Sequence, residues 1–178
     1  MENKKLVTNL CIIRHGFKIL LGKKTRKIGE GLFNGPGGKI NEGEDIVGST
    51  IREVEEEVGL KVKNLEQVGR INFEFQDGTQ GIVMHIFLTT DFEGEIADSE
   101  QMKDVQWFDI SKLPYGEMFP DDELWLPTLL EGKKIEAEFI FDRSATAENP
   151  GKIISHSLKV VTEIQGKVDE KKASWKIK

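Results

Sequence analysis

Apolar residues recur along this chain in two rhythms. Between Ile46 and Val58 the rhythm is helical: Val47, Ile51, Val54 and Val58 share one face at spacings of four, three and four. Gly59 follows as a helix-stopping glycine. Elsewhere, short runs of apolar, β-branched and aromatic residues bounded by turn residues predict strands. Leu6 to Ile13 and Phe17 to Leu21 form a hairpin around His15-Gly16. Val62 to Leu65 is a short strand, and Val68 to Phe75 and Ile82 to Thr90 flank the turn Gln76-Asp77-Gly78. Val105 to Phe108, Lys134 to Asp142 and Ile153 to Ile164 complete the set. Asp109 to Leu113 reads as a one-turn connector, and Pro120-Asp121-Asp122 opens a second helix running to about Leu130. Gly29 to Gly38, with Pro36, is too rich in glycine for regular structure and reads as a shaped loop. A basic loop, Lys23 to Lys27, precedes it, and a polar loop, Arg143 to Gly151, separates the last two strands. Residues 1–166 are therefore expected to form one domain. Lys167 to Lys178, lysine-rich and nearly devoid of core residues, is expected to be a flexible tail.

Composition narrows the class. A chain of 178 residues with 38% hydrophobic and 31% charged residues suits one globular domain with a real core. The net charge of −6 at pH 7 argues against a nucleic-acid polymer as partner. It leaves a small anionic ligand open, because a bound cation inverts local charge logic. Cys11 is the only cysteine, so no internal disulfide forms, and its apolar run marks it as a core residue. The N-terminal apolar run is too short for a signal peptide, and no stretch approaches the ~18–20 apolar residues of a membrane span. The expectation is a cytoplasmic monomer with no membrane partner.

The predicted first helix carries a second pattern. Glu53, Glu56 and Glu57 stand at i, i+3 and i+4, so their carboxylates share one side, largely away from the aliphatic stripe. Three like charges that close repel, and a cation among them removes the penalty. Hard oxygen donors in a cluster suit Mg²⁺ or Mn²⁺, which also engage substrate phosphates. For an ordinary helix a solvated acidic face is the commoner explanation.

Context changes that judgement. Gly38, Glu44, Arg52, Glu53, Val54, Glu56, Glu57, Gly59 and Leu60 match G-x5-E-x7-R-E-U-x-E-E-x-G-U, with U aliphatic, without gap or substitution. A chance match is below roughly one in a million at ordinary residue frequencies. The chain thus resembles the Nudix hydrolases. The resemblance implies an α+β Nudix fold, a three-layer α/β/α sandwich around a mixed, curved β-sheet. It also implies that Glu53, Glu56, Glu57 and the Gly38 carbonyl hold the metal. Arg52 and Glu44 would be structural supports, and Glu56 or Glu53 would take the proton of the attacking water, with Glu56 preferred.

Further stretches resemble the animal MutT-type branch of that family, which acts on oxidised purine nucleoside triphosphates. They are Leu20-Leu21-Gly22, Asn34-Gly35, Gly37-Gly38-Lys39, Phe73-Glu74-Phe75, Trp107-Phe108 and Pro120-Asp121-Asp122, with Trp125 and Pro127 in register. This resemblance implies a base pocket in which Asn34, Asp121 and Asp122 hydrogen-bond the purine and Phe73, Phe119 and Trp125 form aromatic walls. Two adjacent buried carboxylates cannot both ionise cheaply, so one of the pair should carry a proton. The alternatives are helix capping by Asp121 and Asp122, and a plain core role for Phe73. Asn9 and Lys24 are further substrate candidates. The chain departs from the branch at Phe119 (tryptophan there), Ile28 (phenylalanine), Asn9 (threonine) and Gln101 (acidic), with Glu100 as the candidate substitute. The expected partner is a nucleoside triphosphate, cut to monophosphate and pyrophosphate. Competing readings are a Nudix hydrolase of another nucleoside diphosphate derivative, such as a sugar nucleotide or dinucleotide, and a non-catalytic ligand sensor.

Overall fold

The computed structural model describes residues 4–165; the expected tail, 167–178, lies outside the described residues. The described residues form ten strands, two α-helices and one 3-10 turn, in the order β1 (Leu6–His15), β2 (Lys18–Lys24), β3 (Phe33–Asn34), α1 (Ile46–Val58), β4 (Lys61–Lys63), β5 (Glu66–Phe75), β6 (Ile82–Thr89), β7 (Asp91–Glu93), β8 (Met102–Asp109), the 3-10 turn Tyr115–Glu117, α2 (Asp122–Leu130), β9 (Lys134–Phe141) and β10 (Ile153–Val161). The main sheet runs β10-β9-β5-β6-β1-β2-β3, with β8 also paired to β2, and β4 and β7 form a separate two-stranded ribbon. Pairing is mixed: β1 with β6 and β5 with β9 are parallel, and the remaining pairs are antiparallel.

β1 shows how the layers arise. Side chains alternate across a strand, and Asn9 to Ile13 are all buried because both faces are covered. Leu10 and Ile12 join one core with Trp125, Leu126 and Leu129 of α2. Cys11 and Ile13 join another with Val54 and Val58 of α1. The sheet therefore lies between the two helices, as expected for the three-layer α+β fold. Burial pushes the Cys11 thiol up to about 12, so it is an inert core residue.

α1 begins at Asp45, whose carboxylate accepts the Gly48 N–H at 2.9 Å, and ends at Gly59 in the left-handed region (φ +82°). Its buried face is rotated from the expected stripe. Ile46, Ser49, Thr50, Val54, Glu57 and Val58 are buried, while Val47 and Ile51 are only partly covered. The polar members are compatible with burial because Thr50 Oγ1 donates to the Ile46 carbonyl and Ser49 Oγ accepts from Asn9.

Several boundaries also shift. β8 starts three residues before Val105, β4 ends at Lys63, and β10 ends at Val161. β3 lies inside the glycine-rich stretch and β7 between Thr90 and Val105, where no element was expected; strands of two or three residues have no periodicity to display. The connector after β8 is a turn closed by Lys112 N–H onto the Asp109 carbonyl, and the 3-10 turn comes later.

Candidate active site

The glycine-rich loop is shaped around β1. Asn9 N–H donates to the Gly38 carbonyl (2.9 Å), Gly38 N–H donates to Asn9 Oδ1 (3.0 Å), and Asn9 Nδ2 donates to Ser49 Oγ (3.3 Å). A Cβ on Gly37 would sit 2.2 Å from the Asn9 carbonyl oxygen, and one on Gly38 would sit 2.8 Å from the Glu53 carboxylate. Only glycine lets this loop lie between strand and helix. Asn9, expected to bind substrate, spends its side chain tying β1, the loop and α1 together.

The glutamates of α1 are not equivalent. Glu57 is buried, against the expectation that it lies away from the packed face, and still lines the cleft described below. Burial, followed by the hydrogen bond and charge of Glu53, raises its carboxyl to about 8, while Lys24 and the Gly37 N–H oppose the rise. Burial in turn lowers the Lys24 ammonium, with Glu57 and Glu53 opposing. Glu56 is turned outward, its Oε2 3.1 Å from Arg52 Nη1. Glu53 contacts Glu57 and shares Arg52 Nη1 with Glu56, so the three carboxylates are neighbours on this face; among the described residues no group of three metal-ligating side chains forms a ready ion site. Arg52 is the hub of this face. It grips Glu44 with two hydrogen bonds (2.8 and 3.1 Å) and reaches Glu53 at 3.2 Å. The fork geometry suits a guanidinium and not an ammonium.

The second half of the site forms around α2. Asp121 and Asp122 are both buried. Asp121 has helical backbone angles (φ −77°, ψ −22°) and its side chain makes no cap, so the capping alternative fails for it. Its Oδ2 accepts the Trp125 indole N–H at 2.8 Å. Burial raises Asp121 to about 6, and burial together with the Asp121 charge holds Asp122 well above the ordinary carboxylate range. Asp122 Oδ2 is buried with no hydrogen-bond partner among the described residues. Trp125, expected to wall the pocket, is fully buried behind Asp121 and does not line the cleft.

Both halves open into one cleft of about 480 Å³. Glu53, Glu56 and Glu57 line it together with Lys24, Asn34, Phe73, Phe119, Asp121 and Asp122. Phe73 is also part of the core beside Phe139, so its two readings are compatible. Gln101 lines the cleft but Glu100 does not; the Glu100 carbonyl accepts a hydrogen bond from Thr25 Oγ1. Sequence reasoning missed Ser49 and Ala145. Ser49 was visible only as a polar residue near the helical stripe, and an alanine in a polar loop carries no signal at all.

The sequence profile of the NUDIX domain matches residues 4–129. The chain belongs to the NUDIX family. It is 39% identical over 164 residues to the oxidized purine nucleoside triphosphate hydrolase of Danio rerio, covering 92% of this chain and all of that protein. The Mus musculus protein of the same name is 38% identical over 161 residues, covering 90% of this chain and 98% of that one. Among solved structures, the mutator MutT protein from Bacillus halodurans superposes with a TM-score of 0.72 at 25% identity, covering 86% of this chain and 97% of that chain.

NUDIX hydrolases generally use divalent metal ions, and the residues present fit such an ion. Every donor on this face is a hard carboxylate or carbonyl oxygen. Glu57, raised to about 8 beside Glu53, is a buried acid whose ionised form is short of countercharge.

Proposed function

We propose that this NUDIX protein hydrolyses purine nucleoside triphosphates, oxidised ones above all, to the monophosphate and pyrophosphate, with Mg²⁺ as the metal and Mn²⁺ as a substitute. In a cell this reaction removes damaged nucleotides from the precursor pool. The single observation that carries the reading is the shared cleft, with the NUDIX glutamates and the Asn34, Asp121 and Asp122 group on its walls. Its volume of about 480 Å³ is within the usual range for a small-molecule site. The names and near-complete coverage of the fish and mouse relatives support the same substrate class.

Each end has a distinct task. Glu53, Glu56, Glu57 and the Gly38 carbonyl would hold the metal. When bound, the metal neutralises phosphate charge and acidifies water. Glu56 is the best placed to accept the proton of the attacking water, since 49% of its side chain is exposed against 17% for Glu53. Arg52 and Glu44 hold that face in position, and Lys24 meets the phosphate chain. At the other end Asp122, kept protonated by burial and by Asp121, donates a hydrogen bond to the base. Asp121, steadied by Trp125, accepts one. Phe119 and Phe73 pack against the ring, and Asn34 supplies a third polar contact.

The test is Mg²⁺-dependent hydrolysis of a panel of oxidised dGTP, oxidised dATP, dGTP, ADP-ribose and a dinucleoside polyphosphate, with product analysis. The proposal expects the oxidised purine triphosphates to have the highest kcat/KM, with pyrophosphate as product. Preference for ADP-ribose or the dinucleotide, or no turnover at all, overturns it.

A further inference from the structure

The loop between β9 and β10, residues 142–152, folds back over the glycine turn at Gly29 to Gly31. Gly29 N–H donates to the Ala145 carbonyl (2.8 Å), and Ala147 N–H donates to the Glu30 carbonyl (3.0 Å). The loop is also tied from the hairpin between β5 and β6: Asp77 Oδ2 accepts the Ser144 N–H (3.2 Å). Its base is closed by the Lys152 N–H donating to Asp142 Oδ1 (2.7 Å). Both outer glycines of the turn are required twice over. Gly29 has φ +86° and Gly31 φ +83°, a region costly for other residues. A Cβ on Gly29 would lie 2.2 Å from Phe119 Cζ, and one on Gly31 would lie 2.7 Å from the Ala147 Cβ. Phe119 and Ala145 both line the cleft and meet around Gly29, and Ala145 is only 4% exposed.

A loop pinned by backbone hydrogen bonds on several sides is a fixed wall. The side chain it presents then decides how much room is left, and alanine leaves the most of any chiral residue. We infer that Ala145 is a specificity-determining residue, whose small side chain gives the base end of the cleft the depth to admit a two-ring base. The inference rests on the function proposed above, with Phe119 and Ala145 as neighbouring walls of that base end. Because the loop is held through its main chain, Ala145 can be changed without removing any of those hydrogen bonds.

The experiment is steady-state kinetics of Ala145→Val and Ala145→Leu on oxidised dGTP with Mg²⁺, alongside melting temperatures. One added methylene in a pocket typically changes discrimination by about 10-fold or more. KM is therefore expected to rise about 10-fold or more for valine and further for leucine, with kcat within about 3-fold of the parent. A destabilised loop would instead lower the melting temperature and kcat and leave KM unchanged; that result, or unchanged kinetics in both variants, overturns the inference. If leucine prevents folding, the valine variant decides by the same criteria. Absence of oxidised dGTP hydrolysis by the parent protein is a separate outcome, which overturns the proposed function and this inference with it.

Discussion

The indole N–H of Trp125 donates to Asp121 Oδ2 at 2.8 Å, four residues apart along α2 and wholly inside the protein. The contact ties a residue of the core to one wall of the cleft. Trp125→Phe keeps most of the packing and deletes the donor. A buried acceptor left unpaired costs about 1–3 kcal/mol, so the variant is expected to lose about that much stability and to bind oxidised dGTP more weakly. Chemical denaturation and KM measure the two. Lost stability with unchanged KM would make Trp125 purely structural.

Glu56→Gln preserves shape and deletes a charge. A general base contributes about 10²–10⁴-fold to rate, so kcat is expected to fall by at least about 100-fold while the circular dichroism spectrum stays the same. Near-normal turnover at saturating Mg²⁺ would remove Glu56 from the chemistry.

Arg52 contacts Glu44, Glu53 and Glu56 at once. Arg52→Lys keeps the charge and loses the fork. The expected outcome is a drop of about tenfold or more in kcat, equivalent to ~1.4 kcal/mol, with KM little altered, because the substrate end is untouched. A change confined to KM would place Arg52 in substrate binding.

The acid pair has a pH signature. Burial raises Asp121 to about 6, and burial with the Asp121 charge holds Asp122 well above the ordinary carboxylate range. Between the ordinary carboxylate range and these raised values the folded state binds more protons than the unfolded one, so stability falls as pH rises through that window. Asp122→Asn removes one titrating member and its effect on the other. The melting temperature of the variant, relative to the parent, is therefore expected to climb as pH rises from the ordinary carboxylate range through about 6. A constant difference across that range would contradict a proton-holding pair.

Much of this was legible in the sequence for identifiable reasons. The NUDIX pattern has fixed spacing because one helical turn and one loop must bring its groups to a single face. Gly59 could be read as a cap, and Gly38 as a fixed member of the pattern. Other features depend on partners distant in the chain. Nothing local distinguishes Asn9 as a tie between β1 and the loop, because Gly38 lies 29 residues away and Ser49 40. Glu57 was read with its neighbouring glutamates, yet packing of α1 on the sheet buries it. Trp125 was expected as a wall from the resemblance alone, whereas α2 places it behind Asp121. Ala145 acquires its position only when the loop after β9 folds back on Gly29.

One cleft is proposed both to read a purine and to cleave its triphosphate. The most direct test of this proposal is kcat/KM of the parent and Asp122→Asn on oxidised dGTP and oxidised dATP, measured side by side. An amide cannot exchange donor and acceptor roles by moving one proton. Loss of a buried partner at 1–3 kcal/mol corresponds to about 10-fold or more. The parent is expected to convert both substrates to monophosphate and pyrophosphate, and the variant to be at least ~10-fold weaker with unequal losses on the two bases. A variant that matches the parent, or loses equally little on both, would contradict the proposal.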